Sequence, residues 1–144
     1  QGSADPMVAD TQKMPSVEKG EFQKLIGYEI TDWGPGFAVI ELELKDEHCN
    51  RNGNPHGGVL MTLLDAACTR AGTVYPETNE IGRAATVNVS TNFIGVAKGG
   101  KLQIKGKKTG GGRRLFFAEA YAYDREGNLI ASAVSTCRYV LNAE

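Results

Sequence analysis

The alternation of apolar and polar positions changes period along the chain. From Phe37 to Lys45, Ile40, Leu42 and Leu44 alternate with Glu41 and Glu43, a repeat of two that predicts a half-buried strand. Gly34, Pro35 and Gly36 mark the turn before it. Between Gly57 and Tyr75 the pattern is different. Val59, Leu60, Leu63, Leu64, Ala66, Ala67, Cys68, Ala71 and Val74 cover most of a helical circumference, and a helix apolar nearly all round belongs inside a fold. Strand-like runs follow at Arg83 to Val96, Lys101 to Lys108, Arg113 to Tyr123 and Leu129 to Leu141. The breaks between them, Gly99-Gly100, Gly110 to Gly112 and Asp124 to Asn128, read as hairpin connections. Upstream, Ser16 is placed to cap a short amphipathic helix that runs through Ile26 and stops at Gly27. One internal helix followed by an antiparallel meander predicts an α+β fold, a curved antiparallel sheet wrapped around a long central helix.

Composition narrows the class. The 144 residues are 41% hydrophobic and 23% charged, which suits one globular domain and excludes a disordered polymer. A formal net charge of -1 gives no whole-molecule attraction to nucleic acid or to an acidic membrane. No uncharged apolar run reaches the roughly 18 residues that span a bilayer, and no basic-then-apolar leader is visible. Three cysteines at wide separations, Cys49, Cys68 and Cys137, suit neither a disulfide framework nor a paired-cysteine metal site. The expectation is a cytoplasmic protein with no membrane or nucleic-acid partner. Residues 1–6 precede Met7 and read as an expression scar, 7–16 as a flexible arm, and 17–144 as the single domain.

The candidate chemistry lies on and before the central helix. Thr62, Asp65 and Thr69 stand at i, i+3 and i+7, so a narrow polar stripe runs along an otherwise apolar helix. Asp is a poor mid-helix residue, and an ionised carboxylate in an apolar interior is costly unless paired. Asp65 is either a hydrogen-bonded structural acid or a catalytic one. Just upstream, Asn54-Pro55-His56-Gly57-Gly58 leads into the helix, and its first-turn amides have no intrahelical acceptor. They make either a tight turn or a site for an oxygen that gains negative charge. His56 holds that turn through its ring or transfers protons.

Gly57 and Asp65 are eight residues apart, about 12 Å along one helix. A donor and a carboxylate so placed cannot both reach one carbonyl carbon from the same helix. Two helices packed antiparallel across a twofold axis bring the first turn of one against Asp65 of the other. The spacing therefore predicts two composite sites in a homodimer.

The run from Asn50 through His56-Gly57-Gly58 to Asp65-Ala66-Ala67 resembles the hotdog-fold acyl-CoA thioesterases of the phenylacetate-pathway, or 4-hydroxybenzoyl-CoA thioesterase-like, type. The likeness continues through Thr86 to Phe93, Gly110 to Arg114 and Asp124 to Ala131. The resemblance implies a hotdog fold and a thioester hydrolase that needs no metal and no cofactor beyond the coenzyme A of its substrate. It also implies dimers, often paired into tetramers. Carried over residue by residue, it makes the Gly57 amide the oxyanion donor and Asp65 the nucleophile or general base. Asn50 then orients carbonyl or water, with His56 beside them. Thr69 matches one hydroxyl position of the family and Thr86 another, so which of them positions water stays open. Gly58, Thr86, Asn88, Gly112, Arg113 and Arg114 are the implied substrate contacts.

Seven of the sixteen basic residues fall between Lys98 and Arg114 with no acid among them. They read either as a rim for coenzyme A phosphates, with Arg113 and Arg114 making forked contacts, or as lysines guarding strand edges. A nucleic-acid face would need interleaved aromatics or a known motif, and has neither. His48, Cys49 and His56 have no standard metal-ligand spacing. Cys68 lies on the apolar circumference and reads as a buried small hydrophobe. Trp33, Phe37, Phe93, Phe116 and Phe117 read as core or interface. The rivals are a non-catalytic acyl-CoA-binding protein, which has no need of Asp65, and a dehydratase, which needs a histidine beside the acid.

Overall fold

The computed structural model describes residues 18–140. In chain order it contains helix α1 (Glu21–Ile26), strands β1 (Glu29–Gly34) and β2 (Phe37–Glu43), a 3-10 turn (Asp46–His48) and the 17-residue helix α2 (Gly57–Thr73). Strands β3 (Ala84–Phe93), β4 (Lys101–Gly111), β5 (Leu115–Tyr123) and β6 (Leu129–Tyr139) complete it. All six strands form one antiparallel sheet in the order β1-β2-β4-β5-β6-β3, and α2 packs against its inner face. This is the hotdog arrangement of a sheet wrapped around one helix.

The core follows the alternation. Ala38, Ile40 and Leu42 of β2, Leu102 and Ile104 of β4 and Ile130 and Ala133 of β6 point inward onto Leu60, Leu63, Leu64, Ala67 and Cys68 of α2. In β5 the inward row is Phe116, Ala118, Ala120 and Ala122. The three alanines leave room for a helix in the concavity. Gly106 serves the same end in β4, because a Cβ there would strike the backbone carbonyl of Ala67. Burying such a row stabilises the fold at roughly 25 cal/mol for each Å² of apolar surface removed from water.

Several expectations change. The N-cap expected at Ser16 lies outside the described residues; among those described α1 begins at Glu21 behind Gly20, and Gly27 ends it, at φ 92°. Strand β1 was absent from the alternation pattern, since its register shifts between Ile30 and Asp32 and breaks the period of two. The meander holds for β4, β5 and β6 only. Gly99-Gly100 is no hairpin: β3 pairs with β6 at the far edge, and residues 94–100 cross back to β4. β4 is thus an interior strand, and Lys101, Lys105 and Lys107 project from its outer face instead of guarding an edge, while Lys108 reaches the Tyr139 hydroxyl at 3.4 Å. On the outer face Lys101 pairs with Glu41 at 3.0 Å and Lys105 lies over the Tyr123 ring. Among the five aromatics named as core or interface, Phe116 alone is fully buried, whereas Phe37, Phe93 and Phe117 are exposed. No helix among the described residues is long and apolar enough to cross a membrane.

Candidate active site

One face of α2 is not covered by the sheet, and it carries the polar stripe. Thr62, Asp65, Thr69 and Arg70 line a cavity of about 610 Å³, closed on one side by Tyr28 and Ile30 and on the other by Ala84 and Thr86. Asp65 is half-buried there, facing open space. The expected cost of an acid in an apolar interior therefore does not arise. One hydroxyl holds it: Thr86 Oγ1 on β3 donates to Asp65 Oδ1 at 2.7 Å. Thr69 is turned elsewhere, with its hydroxyl 3.8 Å from Cys137 Sγ, and Thr62 donates to the Gly58 carbonyl at 2.9 Å. Of the two hydroxyl positions left open by the sequence, Thr86 is the one bonded to the acid.

The first turn of α2 is built by two histidines. His56 is the N-cap, in extended backbone geometry, and its Nδ1 accepts from the Gly58 amide at 2.8 Å. That amide is spent on the cap. The Gly57 amide has no acceptor among the described residues, so of the two glycines Gly57 keeps a free donor at the positive end of the helix. Buried His48 fixes the approach to this turn. Its Nδ1 accepts from the Lys45 amide at 2.9 Å, its Nε2 donates to the Ile26 carbonyl at 2.6 Å, and its own carbonyl accepts from the His56 amide at 2.8 Å. Both ring nitrogens of His48 are thereby occupied by backbone groups.

Asn50 governs the loop between them, where its Oδ1 accepts from the amides of Asn52 and Asn54 at 2.9 and 3.1 Å. Asn50 and Gly57 line a second crevice together with Pro55, Leu60, Phe93 and Val96. Within one chain, then, the acid and the free amide face different crevices. Asn88 lies apart from both, on the exposed side of β3, accepting from Ser90 Oγ at 3.2 Å. Gly112, Arg113 and Arg114 form the β4–β5 turn, exposed and outside both crevices.

Cys68 is fully buried, and its thiol is pushed up to about 12, first by burial and then by the neighbouring Cys137 and Asp65. A thiol held so far above neutral pH is no nucleophile. Sequence reasoning overlooked Arg70 and Tyr28, both of which line the cavity beside Asp65. Arg70 had a visible signal, as a cation five residues beyond the acid on the same helix.

Residues 52–131 match the thioesterase superfamily. The chain belongs to that family. Thioesterase superfamily member 2 of zebrafish, a solved thioesterase superfamily structure, aligns at 30% identity with a TM-score of 0.71, covering 85% of this chain and 88% of the fish protein. Human acyl-coenzyme A thioesterase 13 is 31% identical over 71 residues, 45% of this chain and 51% of the human protein. The phenylacetic acid degradation protein PaaI of Thermus thermophilus, solved as a point mutant, aligns with a TM-score of 0.72 over 84% of this chain and 100% of that one. At 21% identity PaaI speaks for the fold alone. For this thioesterase superfamily member, the matched stretch contains the first turn of α2, Asp65 and Thr86.

Proposed function

We propose that the protein hydrolyses the thioester of an acyl- or aryl-coenzyme A to the free acid and coenzyme A, at two equivalent sites of a homodimer. The observation that carries this reading is the setting of Asp65. Among the described residues it is the sole carboxylate lining the 610 Å³ cavity, and one of its oxygens is held by the Thr86 hydroxyl. Family membership and the acyl-coenzyme A name of the human relative support the substrate class.

The chemistry needs little more. A thiol of pKa near 8.5 leaves far more readily than an amine or alkoxide, so no strong general acid is required. In the proposed sequence Asp65 attacks the carbonyl carbon, or takes a proton from the water that does. The carbonyl oxygen becomes an oxyanion held by the Gly57 amide of the partner subunit, and the tetrahedral intermediate expels thiolate; on the direct route this leaves a mixed anhydride on Asp65, which water then hydrolyses to the free acid. Thr86 orients Asp65, Asn50 orients the carbonyl or water beside Gly57, and His56 fixes the turn that aims the amide. Asn88, Gly112, Arg113 and Arg114 are assigned to the coenzyme A portion, whose phosphates suit forked guanidinium contacts. Aryl-coenzyme A preference, as in the phenylacetate-pathway type, and pairing of dimers into tetramers belong to the same reading.

Thiol release from a panel of short, medium, long and aryl acyl-coenzyme A thioesters tests it. The wild type is expected to cleave at least one class, and Asp65→Asn to lose about 10²–10⁴-fold in rate. Flat inactivity across the panel would overturn it in favour of a binding protein, and full activity in Asp65→Asn would remove Asp65 from the chemistry. Single turnover in oxygen-labelled water separates the two routes, with label in Asp65 marking direct attack.

A further inference from the structure

The charge lining the cavity is not balanced by Asp65. Arg70 and Arg83 border the same space. Arg83 is exposed at its edge, but Arg70 is half-buried on α2, with its guanidinium 5.8 Å from the Trp33 ring centre. No carboxylate pairs with Arg70 among the described residues: the ion pairs there join Lys19 to Glu29, Lys24 to Glu21 and Lys101 to Glu41. Glu18 and Glu29 line the hollow behind Arg70 together with Trp33; Glu29 is taken by Lys19, Glu18 forms no ion pair with Arg70, and Asp65 is bonded to Thr86. A cation in the last turn of a helix is ordinary. One that gives up part of its hydration beside an indole ring, with no carboxylate in an ion pair to it, is not. Burial pulls the Arg70 pKa down, offset in part by Tyr28.

Position relates Arg70 to the acid. Asp65 and Arg70 are five residues apart, about 7.5 Å along the axis and about 140° around it, so they stand at opposite borders of the helix face that lines the cavity. Thr69, Thr62, Thr73 and Ala66 lie between them. Tyr28 lines the same cavity, and its phenol is pushed up first by burial, with Arg70 acting to lower it and Asp65 to raise it.

We infer that the acyl group taken by this enzyme ends in a carboxylate, and that Arg70, backed by Trp33, grips that carboxylate while the thioester carbonyl lies over Asp65. This rests on the thioesterase reading above and names its substrate class: the coenzyme A thioester of a short dicarboxylic acid. The guanidinium fork matches a carboxylate in two parallel hydrogen bonds. Asp65 repels the same group, so the two charges together admit the acyl chain in one direction. Arg70 is thus a specificity-determining residue and takes no part in bond breaking.

The experiment compares glutaryl-coenzyme A with pentanoyl-coenzyme A, equal in chain length and different in the terminal charge. The wild type is expected to favour glutaryl-coenzyme A in kcat/KM by about tenfold or more, mainly through KM. In Arg70→Met the ratio falls to about one, and Arg70→Lys lies between. An indifferent wild type, or a ratio unchanged in Arg70→Met, overturns the inference. So does a change of solution mass in Arg70→Met, which would assign Arg70 to a subunit contact. Calorimetry on Asp65→Asn, with and without Arg70→Met, reads the same preference without turnover. Charge-dependent binding with no hydrolysis of any thioester by the wild type would refute the proposed function and leave this inference standing. Hydrolysis with no charge preference in rate or binding would do the reverse.

Discussion

At the scale of single residues, the free amide of Gly57 offers a test that ordinary side-chain replacement cannot. Proline is favoured at the first helical position and removes the N–H that sits there. It also requires an extended residue before it, and His56 already has φ -63° and ψ 139°. A Cβ at Gly57 meets Phe93 at 3.4 Å, an ordinary contact. Gly57→Pro is therefore expected to keep its urea midpoint while its kcat falls about 10²–10³-fold, the usual cost of one lost oxyanion donor. Activity near that of the wild type would show that the oxyanion is held elsewhere. A second comparison concerns the hydroxyls. Thr86 donates to Asp65 whereas Thr69 faces Cys137, so Thr86→Ala should lose about tenfold in kcat/KM and Thr69→Ala about twofold or less, given the worth of a hydrogen bond to a charged group. The opposite order would detach Thr86 from the chemistry. The letters alone could not choose between these threonines, because the choice depends on β3 passing beside α2, a contact between residues far apart in sequence.

At the scale of elements, legibility tracked locality. The β2 strand and α2 were readable because their periods are unbroken, and the β4-β5-β6 hairpins because glycine or Asp-initiated turns join them. Strand β1 hid behind its bulge, and the far-edge position of β3 was hidden because no local pattern distinguishes a hairpin from a crossover. One side chain secures that crossover. Buried Asp124, at the β5–β6 turn, accepts from the amides of Glu126, Asn128 and Lys98 and from the Asn128 side chain at 2.9 to 3.1 Å. Burial acts to raise its pKa, but these hydrogen bonds outweigh it and hold the carboxyl below its ordinary value. The sign follows from linkage. The unfolded chain, with a carboxyl pKa of about 3.9, binds the proton more readily than the folded one. The stabilisation is thus present above about pH 4 and is lost as pH falls through the lower folded value. Asp124→Asn keeps an acceptor oxygen and cannot ionise, so its urea midpoint should fall below wild type at pH 7, with the gap narrowing as the pH drops from about 4 toward the folded value. A constant gap across that range would remove the charge from the account.

At the scale of the whole molecule, separate crevices for the acid and the amide set a requirement that one chain does not meet. Strand β3 is at the sheet edge, and Val87, Phe93, Ile94 and Val96 on and beyond it are more than half exposed. Apolar surface of this kind beside an unpaired edge favours a second copy. In the proposed dimer each site takes Asp65 from one subunit and Gly57 from the other, which makes the two lesions complementary. A dimer assembled from one Asp65→Ala chain and one Gly57→Pro chain, carrying different tags and purified on both, contains one site with both groups intact and one with neither. It is expected to show about half the activity of the wild-type dimer, while either homodimer of the variants is inactive. If both groups of a site came from the same chain, every site in the mixed dimer would lack one of them, and the double-tagged protein would be as inactive as its parents.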